Sequence, residues 1–460
     1  MTVGVLLVSY GSREACMAEA LSRSGRGVKL FVADRQRNPL NVRLASEHVV
    51  ISDLNVREVA EFARKNAPMI DFVLVGPEAP IVGGIRDVIE GELGIPVLCP
   101  TSAAAVEGSK SKQRRLIEKV APEANPPYKV FPRNGSVDVD SLKRELWSLL
   151  DEFGEVVVKP DGLASGKGVG VWGDHFSDRA SFFEYFMSLY SQGPVVVEKK
   201  IDCEEFSLQF LSDSKRLIPT PAVRDYKRAF DGDAGPNTGG MGSYKDTGEI
   251  LPFMDVEDFE KGVELANRIF RAILSEAGEG SMRGFPMYMA YAISSDGLKI
   301  FEVNSRAGDP EVMCILPVLE DDFVEVCFKM LDGSLGPLRF GRKATVATYL
   351  VPPTYGGRQP GPFREIEVDL SECEEAASRS GGSMKVYPGS MDLRDGKNFS
   401  LRSRTVCVVG IGDGIEEARQ ISLGGIRAVR GSGLWHRSDI ASREHISKSV
   451  RHAKALRGER

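Results

Sequence analysis

Two lysines set among glycines are the first residues here with a chemistry of their own. The stretch "VVVKPDGLASGKGVGV" (156–171) carries Lys159 and Lys167 among Gly162, Gly166, Gly168 and Gly170, directly after a β-rich run. Glycines let backbone N–H groups approach an anion, and lysines neutralise it, so the stretch suits a phosphate-binding turn. It is not a Walker A loop. Gly168 stands where that motif needs Ser or Thr, and the turn lies between two β-rich runs rather than opening a helix. A plain glycine-rich hairpin is the competing reading. In "KIFEVNSRAGDPE" (299–311), Glu302 and Asn304 alternate by two and share one face of a strand. Two oxygen ligands so spaced suit Mg²⁺, which takes few protein ligands and completes its shell with phosphate and water. Arg306 joins that face if the strand continues.

Two further stretches add charge. "EKKIDCEEFSL" (198–208) puts Glu198 at one strand end and Glu204 and Glu205 at the start of the next. Such carboxylates accept from ribose hydroxyls or an adenine amine, or are simply solvated. "RDYKRAFDGDAGPNTGGMGSY" (224–244) packs Arg224, Asp225, Lys227 and Arg228 ahead of a glycine-rich run. A flexible linker explains the glycines but not the charges.

The elements that must position these residues follow from hydrophobic patterning. Residues 1–110 alternate β-rich runs ("VGVLLVSY", "VKLFVAD", "DFVLVG", "IPVLCP") with helical runs, which predicts a parallel sheet. Residues 111–331 read as a second, α+β domain. It holds the glycine-rich turn, a long helical stretch at 256–278 and a hairpin about "SDG" at 294–297. Residues 332–436 read as a small α+β unit, and 437–460 as a basic tail, a solvated helix with a frayed end.

Composition excludes several classes. With 460 residues, 42% hydrophobic and 27% charged, the chain is an ordinary globular protein of several domains. A net charge of −6 gives no general basic field, so nucleic acid is not an expected partner. No apolar run approaches membrane-span length, and no signal peptide is evident. Seven scattered Cys without a CxxC pair argue against a zinc or disulfide framework and suit a reducing, cytoplasmic setting. The five His all lie outside the motifs, unlike a Ser–His or Cys–His hydrolase. Asp34 ends the second strand as a dinucleotide-binding acid would, but G-x-G-x-x-G is absent, which rejects a Rossmann oxidoreductase.

In order and spacing these stretches resemble an ATP-grasp domain. Together with "GPEAP" (76–80), "PTSAAAVEGSK" (100–110) and "DGDAGPNTGGMGSY", the chain resembles the glycinamide ribonucleotide synthetase family over about residues 3–445. The resemblance implies an α/β ATP-grasp fold, a parallel-sheet domain before it and a small C-terminal α+β domain after it. It implies ATP with Mg²⁺ or Mn²⁺, and glycine and 5-phosphoribosylamine as substrates, joined through glycyl phosphate without a protein nucleophile. Lys159, Lys167, Gly166, Gly168 and Arg114 would meet the phosphates, Glu198 the adenine amine, Glu205 the ribose, and Glu302 and Asn304 the metal. Asp225, Lys227, Arg228 and Arg306 would stand at the acyl centre. Pro236, Asn237, Thr238, Gly239 and Gly240 would be a backbone-rich loop at the small amino acid. Gly11, Ser12, Arg13, Glu14, Glu78 and Asp309 would complete the substrate side, with Lys385 and Arg394 as candidates from the C-terminal region. A monomer is expected. A sibling ligase with another substrate, or a non-catalytic nucleotide-binding paralogue, are the alternatives; retention of Glu302, Asn304, Lys159 and Lys167 speaks against the paralogue.

The chain departs from the family pattern in several places. "GSREA" replaces Gly-Gly-Arg-Glu-His, "DYKR" puts Tyr226 for a His, "MYM" (287–289) replaces Tyr-Ala-Gly, and Arg114 replaces a Lys. "RAGDPEVM" brings Ala307, Val312 and Met313 where an aromatic and two polar residues are usual. These changes are expected to surround the substrate and the metal, as lineage drift or as altered substrate preference.

Overall fold

The computed structural model describes residues 2–133, 138–162 and 168–459. The strands Val3–Ser9, Val28–Asp34, Glu47–Val50, Phe72–Val75 and Val97–Leu98 form one parallel sheet. In chain order they lie third, second, first, fourth, fifth. Val3–Ser9 is buried at every position, as a strand covered on both faces must be. Val5 and Leu7 pack with the helix Ser12–Ser22, while Leu6 and Val8 join Val59 and Ile85 on the other side. The strand order reverses about Val3–Ser9. The loops after it and after Phe72–Val75 therefore flank a crevice at the carboxyl ends of the strands, the usual ligand position of such sheets. Those loops carry Gly11–Glu14 and Gly76–Glu78.

Two antiparallel four-stranded sheets follow. One comprises Tyr128–Phe131, Val195–Lys199, Val156–Pro160 and Gly170–Val171. Its core is Leu146 and Phe182, Phe186 from two covering helices, Val139–Phe153 and Arg179–Tyr190, against Val158 and Val197. Fully burying each such side chain contributes about 1.5–3 kcal/mol. The other sheet comprises Leu217–Pro219, Glu204–Asp213, Arg283–Ser294 and Gly297–Asn304, backed by the helix Val256–Ala277. Its hairpin closes on Ser294 and Gly297, as the "SDG" turn predicts. The strand stops at Asn304, so Arg306 lies beyond it, contrary to the continuous strand considered from sequence.

The segment 224–245 is no loose loop. Arg224–Asp225 and Gly242–Lys245 are strands of a five-stranded sheet completed by Ala344–Leu350, Val406–Gly412 and Met384–Pro388. Gly242–Lys245 is buried throughout. Between them, Arg228–Phe230 and Ala234–Asn237 form a hairpin, so Pro236 and Asn237 are strand residues. The middle of the chain and the 332–436 region thus share one sheet.

The C-terminal segment also differs from expectation. Arg443–Leu456 is a helix, but it is docked rather than frayed: His445, Ser449 and Ala453 are buried. His452 pairs with Glu204 at 2.8 Å and Asp202 at 3.2 Å. Burial works against the imidazolium, but Glu204 and Asp202 outweigh it and raise the pKa of His452. A raised imidazole contributes stability that is fully present below its ordinary value near 6.5 and is lost as pH rises through the raised one. Amide-exchange protection of the helix is expected to fall as pH rises above about 6.5, and His452→Gln to remove that dependence. A pH-independent wild type would refute the pairing. Among the described residues no helix is long and apolar enough to cross a membrane.

Candidate active site

Glu302 and Asn304 do share a face. The outer amide atom of Asn304 lies 3.1 Å from Glu302 Oε1 and 3.2 Å from Oε1 of Glu107. With nitrogen there, the amide donates to both carboxylates; with oxygen there, three oxygen atoms converge, a set that a cation satisfies. The donor types therefore fit a hard divalent ion with few protein ligands. No cluster of three or more His, Cys, Asp or Glu is poised for a metal among the described residues. Burial favours the neutral form of Glu302, but Lys110, Lys227, Lys159 and Arg306 overcome it and hold the carboxyl below its ordinary value. Glu107 goes the other way: burial, only partly countered by Arg306, raises it to about 7. Sequence reading did not single out Glu107, although it lies inside "AAAVEGSK".

Around this face stand the cations. Lys110 Nζ donates to the carbonyl of Gly162 at 2.9 Å, and Asp161 accepts from the Ser109 and Ser111 hydroxyls, tying the glycine-rich turn to the start of the helix Lys110–Val120. Lys159 Nζ donates to Glu198 Oε2 at 2.7 Å, and Arg114 Nε to Glu198 Oε1 at 2.7 Å. Arg114 is 2% exposed and Glu198 4%. Arg114 also donates to the carbonyls of Ile300 (2.8 Å) and Phe301, bracing the Gly297–Asn304 strand against the other four-stranded sheet. Both Glu198 oxygens are thus engaged by protein cations. Burial opposes ionisation of Glu198, and Arg114 and Lys159 outweigh it. Gly168 lies at the far end of the turn with φ +81°; Gly166 and Lys167 fall outside the described residues.

Glu205 meets Lys227 at 3.2 Å and is the more open of the two. These two, with Ser207, Asp225 and Tyr288, line a small cleft. Asp225 is half-buried, and its buried Oδ1 has no hydrogen-bond partner among the described residues. Burial and the nearby Glu311 raise its pKa well above the ordinary carboxylate range. Glu311 itself accepts from the Tyr288 hydroxyl at 2.7 Å. Arg228 pairs with Asp174 at 2.8 Å, bridging to the glycine-turn sheet.

The loop Thr238–Gly240 is fastened from both sides. Thr238 donates through N (2.7 Å) and Oγ1 (2.8 Å) to the carbonyl of Lys227. Arg404, from the C-terminal region, donates to the carbonyls of Gly239, Gly240 (3.3 Å) and Asp309 (3.0 Å), and pairs with Asp309 Oδ2 at 2.9 Å. The Tyr349 hydroxyl donates to Asp309 Oδ1 at 2.6 Å. Gly240 has φ +104°, and a Cβ there would lie 2.6 Å from Pro310 Cδ and 2.7 Å from Asp225 Oδ1, so no larger residue fits. Arg404 carried no sequence signal, because its partners, three backbone carbonyls and the Asp309 carboxylate, lie far away in the chain. Lys385 and Arg394, the expected candidates of this region, pair instead with Glu19 and with Glu365 and Asp392.

The N-terminal loops close the far side. Arg13 is buried, pairs with Glu14 at 2.6 Å, donates to the carbonyl of Ala307 at 3.0 Å and approaches Glu78 at 3.7 Å. Arg306 approaches Glu78 at 3.6 Å and Glu107 at 3.3 Å. Glu14 Oε2 accepts from the amides of Tyr10 (3.2 Å) and Gly11 (2.9 Å), and Ser12 Oγ donates to the carbonyl of Tyr387 at 3.0 Å. Glu14 thus closes on the two residues ahead of its own helix, in the manner of a capping box. A Cβ at Gly76 would overlap that Glu14 carboxylate, which accounts for the glycine.

The departures from the family pattern are mostly packing positions. Ala307, Val312, Met313, Met287 and Met289 are buried in the main core. Tyr226 is buried too, its hydroxyl accepting from the amide of Ala441 at 2.9 Å, on the side of the C-terminal segment.

Comparison with known proteins agrees with this geometry. The model of the phosphoribosylglycinamide synthetase N domain matches residues 3–107, and that of the phosphoribosylglycinamide synthetase ATP-grasp domain matches 110–312. The chain is 36% identical over 457 residues to the phosphoribosylamine–glycine ligase of Methanosarcina barkeri, covering 99% of this chain and 100% of that protein. It is 39% identical over 466 residues to that of Methanopyrus kandleri, covering 99% of each. The crystal structure of phosphoribosylamine–glycine ligase from Thermotoga maritima superposes with TM-score 0.74 at 24% identity, over 95% of this chain and 100% of that one. A Campylobacter jejuni biotin carboxylase, solved as a β,γ-ATP complex, shares the fold at TM-score 0.67 and 14% identity, over 97% and 94% of the two chains.

Proposed function

This chain belongs to the phosphoribosylglycinamide synthetase family, and on that premise we propose that it is an ATP-dependent carbon–nitrogen ligase joining glycine to 5-phosphoribosylamine. The products are glycinamide ribonucleotide, ADP and phosphate, a step of purine biosynthesis. The observation that carries this reading is the Glu302–Asn304–Glu107 face, ringed by Lys110, Lys159, Lys227 and Arg306 and set beside the Thr238–Gly240 loop. A polyphosphate and a small carboxylate need such an arrangement, in which positive charge surrounds two or three oxygen ligands.

The glycine carboxylate oxygen attacks the γ-phosphorus of ATP, and the bond to the β-phosphate oxygen breaks to release ADP. The amine of phosphoribosylamine then attacks the acyl carbon of glycyl phosphate, loses a proton and expels phosphate. Neither step needs a protein nucleophile; positioning and charge neutralisation supply most of the acceleration. Lys159 and Lys227 neutralise the phosphates, with Lys167 in the turn. The backbone of Thr238–Gly240 holds glycine beside Asp225 and Arg228. Arg306, Arg13, Glu78 and Asp309 line the phosphoribosylamine side. Glu205 stands where ribose hydroxyls arrive. Glu302 and Asn304 would hold Mg²⁺ or Mn²⁺, which would supply charge neutralisation for the phosphates. Glu198 contributes by fixing Lys159 and Arg114, its oxygens being already engaged. We take the enzyme to act as a cytoplasmic monomer, with residues 1–110, 111–331 and 332–436 as its working units.

ADP release with ATP and Mg²⁺ tests the assignment, with glycine and freshly generated phosphoribosylamine added singly and together. Release that requires both is expected. Release with neither, or only with another amino acid or amine, overturns it.

A further inference from the structure

The C-terminal segment holds the turn of the 228–237 hairpin. Gly232 has φ +73° and Asp233 φ +57°, a backbone region that residues other than glycine rarely adopt. This turn joins Arg228–Phe230 to Ala234–Asn237, and the second strand leads directly into Thr238–Gly240. The turn lies at the far end of the hairpin from that loop and reaches it through Ala234–Asn237.

Three side chains of the C-terminal segment fix it. Arg437 is 0% exposed. Its Nη1 donates to the carbonyl of Arg228 at 2.9 Å and to Asp233 Oδ1 at 3.0 Å. Its Nε and Nη2 donate to Asp439 at 2.8 and 2.7 Å, and its guanidinium lies 5.0 Å from the centre of the Tyr226 ring. His445 Nε2 is hydrogen-bonded to the other Asp233 oxygen at 2.8 Å, with its ring 4.9 Å from that of Tyr226. Asp439 accepts from the Gly232 amide at 2.9 Å. Both Asp233 oxygens, the Gly232 amide and the first strand of the hairpin are thereby tied to one segment.

We propose that Arg437 and His445 are positioning residues for the amino-acid substrate, acting through Asp233 on the Thr238–Gly240 loop. The proposal rests on the ligase reading above. It also accounts for Tyr226, which packs between these two side chains rather than facing substrate.

The test is steady-state kinetics of the full-length protein, varying glycine and ATP separately. Losing a charge-assisted bond to a carboxylate is expected to raise the glycine KM of R437Q about tenfold. The ATP KM and the kcat at saturating glycine stay within about threefold. H445A is expected to shift glycine KM in the same direction, and H445Q, which keeps a donor, to restore part of it. An unchanged glycine KM in R437Q, or equal rises for glycine and ATP, overturns the proposal. Should R437Q fail to fold, H445A and H445Q carry the same comparison. A wild type that does not ligate glycine overturns the functional reading, and this proposal with it. A wild type that does, beside variants of unchanged glycine KM, overturns the proposal alone.

Discussion

Glu302→Gln is expected to lower ATP-dependent ligation by about 10²–10³-fold, the usual loss when one fixed electrostatic group is removed from a transition state. The reasoning is local. Four cations hold Glu302 ionised despite its burial, so it stands as a true carboxylate at pH 7. Glutamine keeps the shape and removes the charge that a divalent ion needs. The side chain is not part of the apolar core, so cooperative unfolding and the far-ultraviolet spectrum are expected to survive. A well-folded variant turning over within about threefold of wild type would refute the metal assignment.

The second large effect falls on stability. Glu198→Ala leaves Arg114, 2% exposed, and Lys159, 14% exposed, without their shared carboxylate. Removing one partner from such a buried ion pair costs about 3–5 kcal/mol. Denaturant unfolding measures it directly. Glu198 lies on Val195–Lys199 and Arg114 reaches the Gly297–Asn304 strand, so the loss is also expected to loosen the two four-stranded sheets from each other. A loss under about 1 kcal/mol would mean that the triad does not carry that junction.

These two residues show how differently the site was legible. Glu302 and Asn304 were readable because a strand has period two, and spacing alone puts them on one face. Glu198 was recognisable as a site residue, but its engagement was not, since Arg114 is 84 positions away. Arg404 and Glu107 were missed for the same reason: their partners, Asp309 and the 239–240 carbonyls for one and Arg306 for the other, are distant in the chain. The segment 224–245 was readable from its charges as more than a flexible linker. Its strands were not, because a glycine-rich run gains a place in a sheet only when neighbours such as Ala344–Leu350 supply the ladder.

The departures from the family pattern carry the same lesson. By position in the motifs, Tyr226, Ala307, Val312 and Met313 belong beside the substrate. The structure turns them into the core or toward the C-terminal helix. A motif states which residues are near one another along the chain, not which side of the backbone each occupies.

The sequence by itself determined the family, the parallel N-terminal sheet, the hairpin about residues 294–297 and the residue types that phosphate and a divalent ion demand. All of these are local: they depend on periodicity, turn residues and the spacing of charges within one element. Only the tertiary structure decided that Arg404 and Arg437 hold the segment 224–245 and that the basic terminus is docked. Each of those depends on which buried donor finds which distant acceptor. That pairing is set by packing of the whole chain, because a buried polar group must be satisfied wherever the fold leaves it.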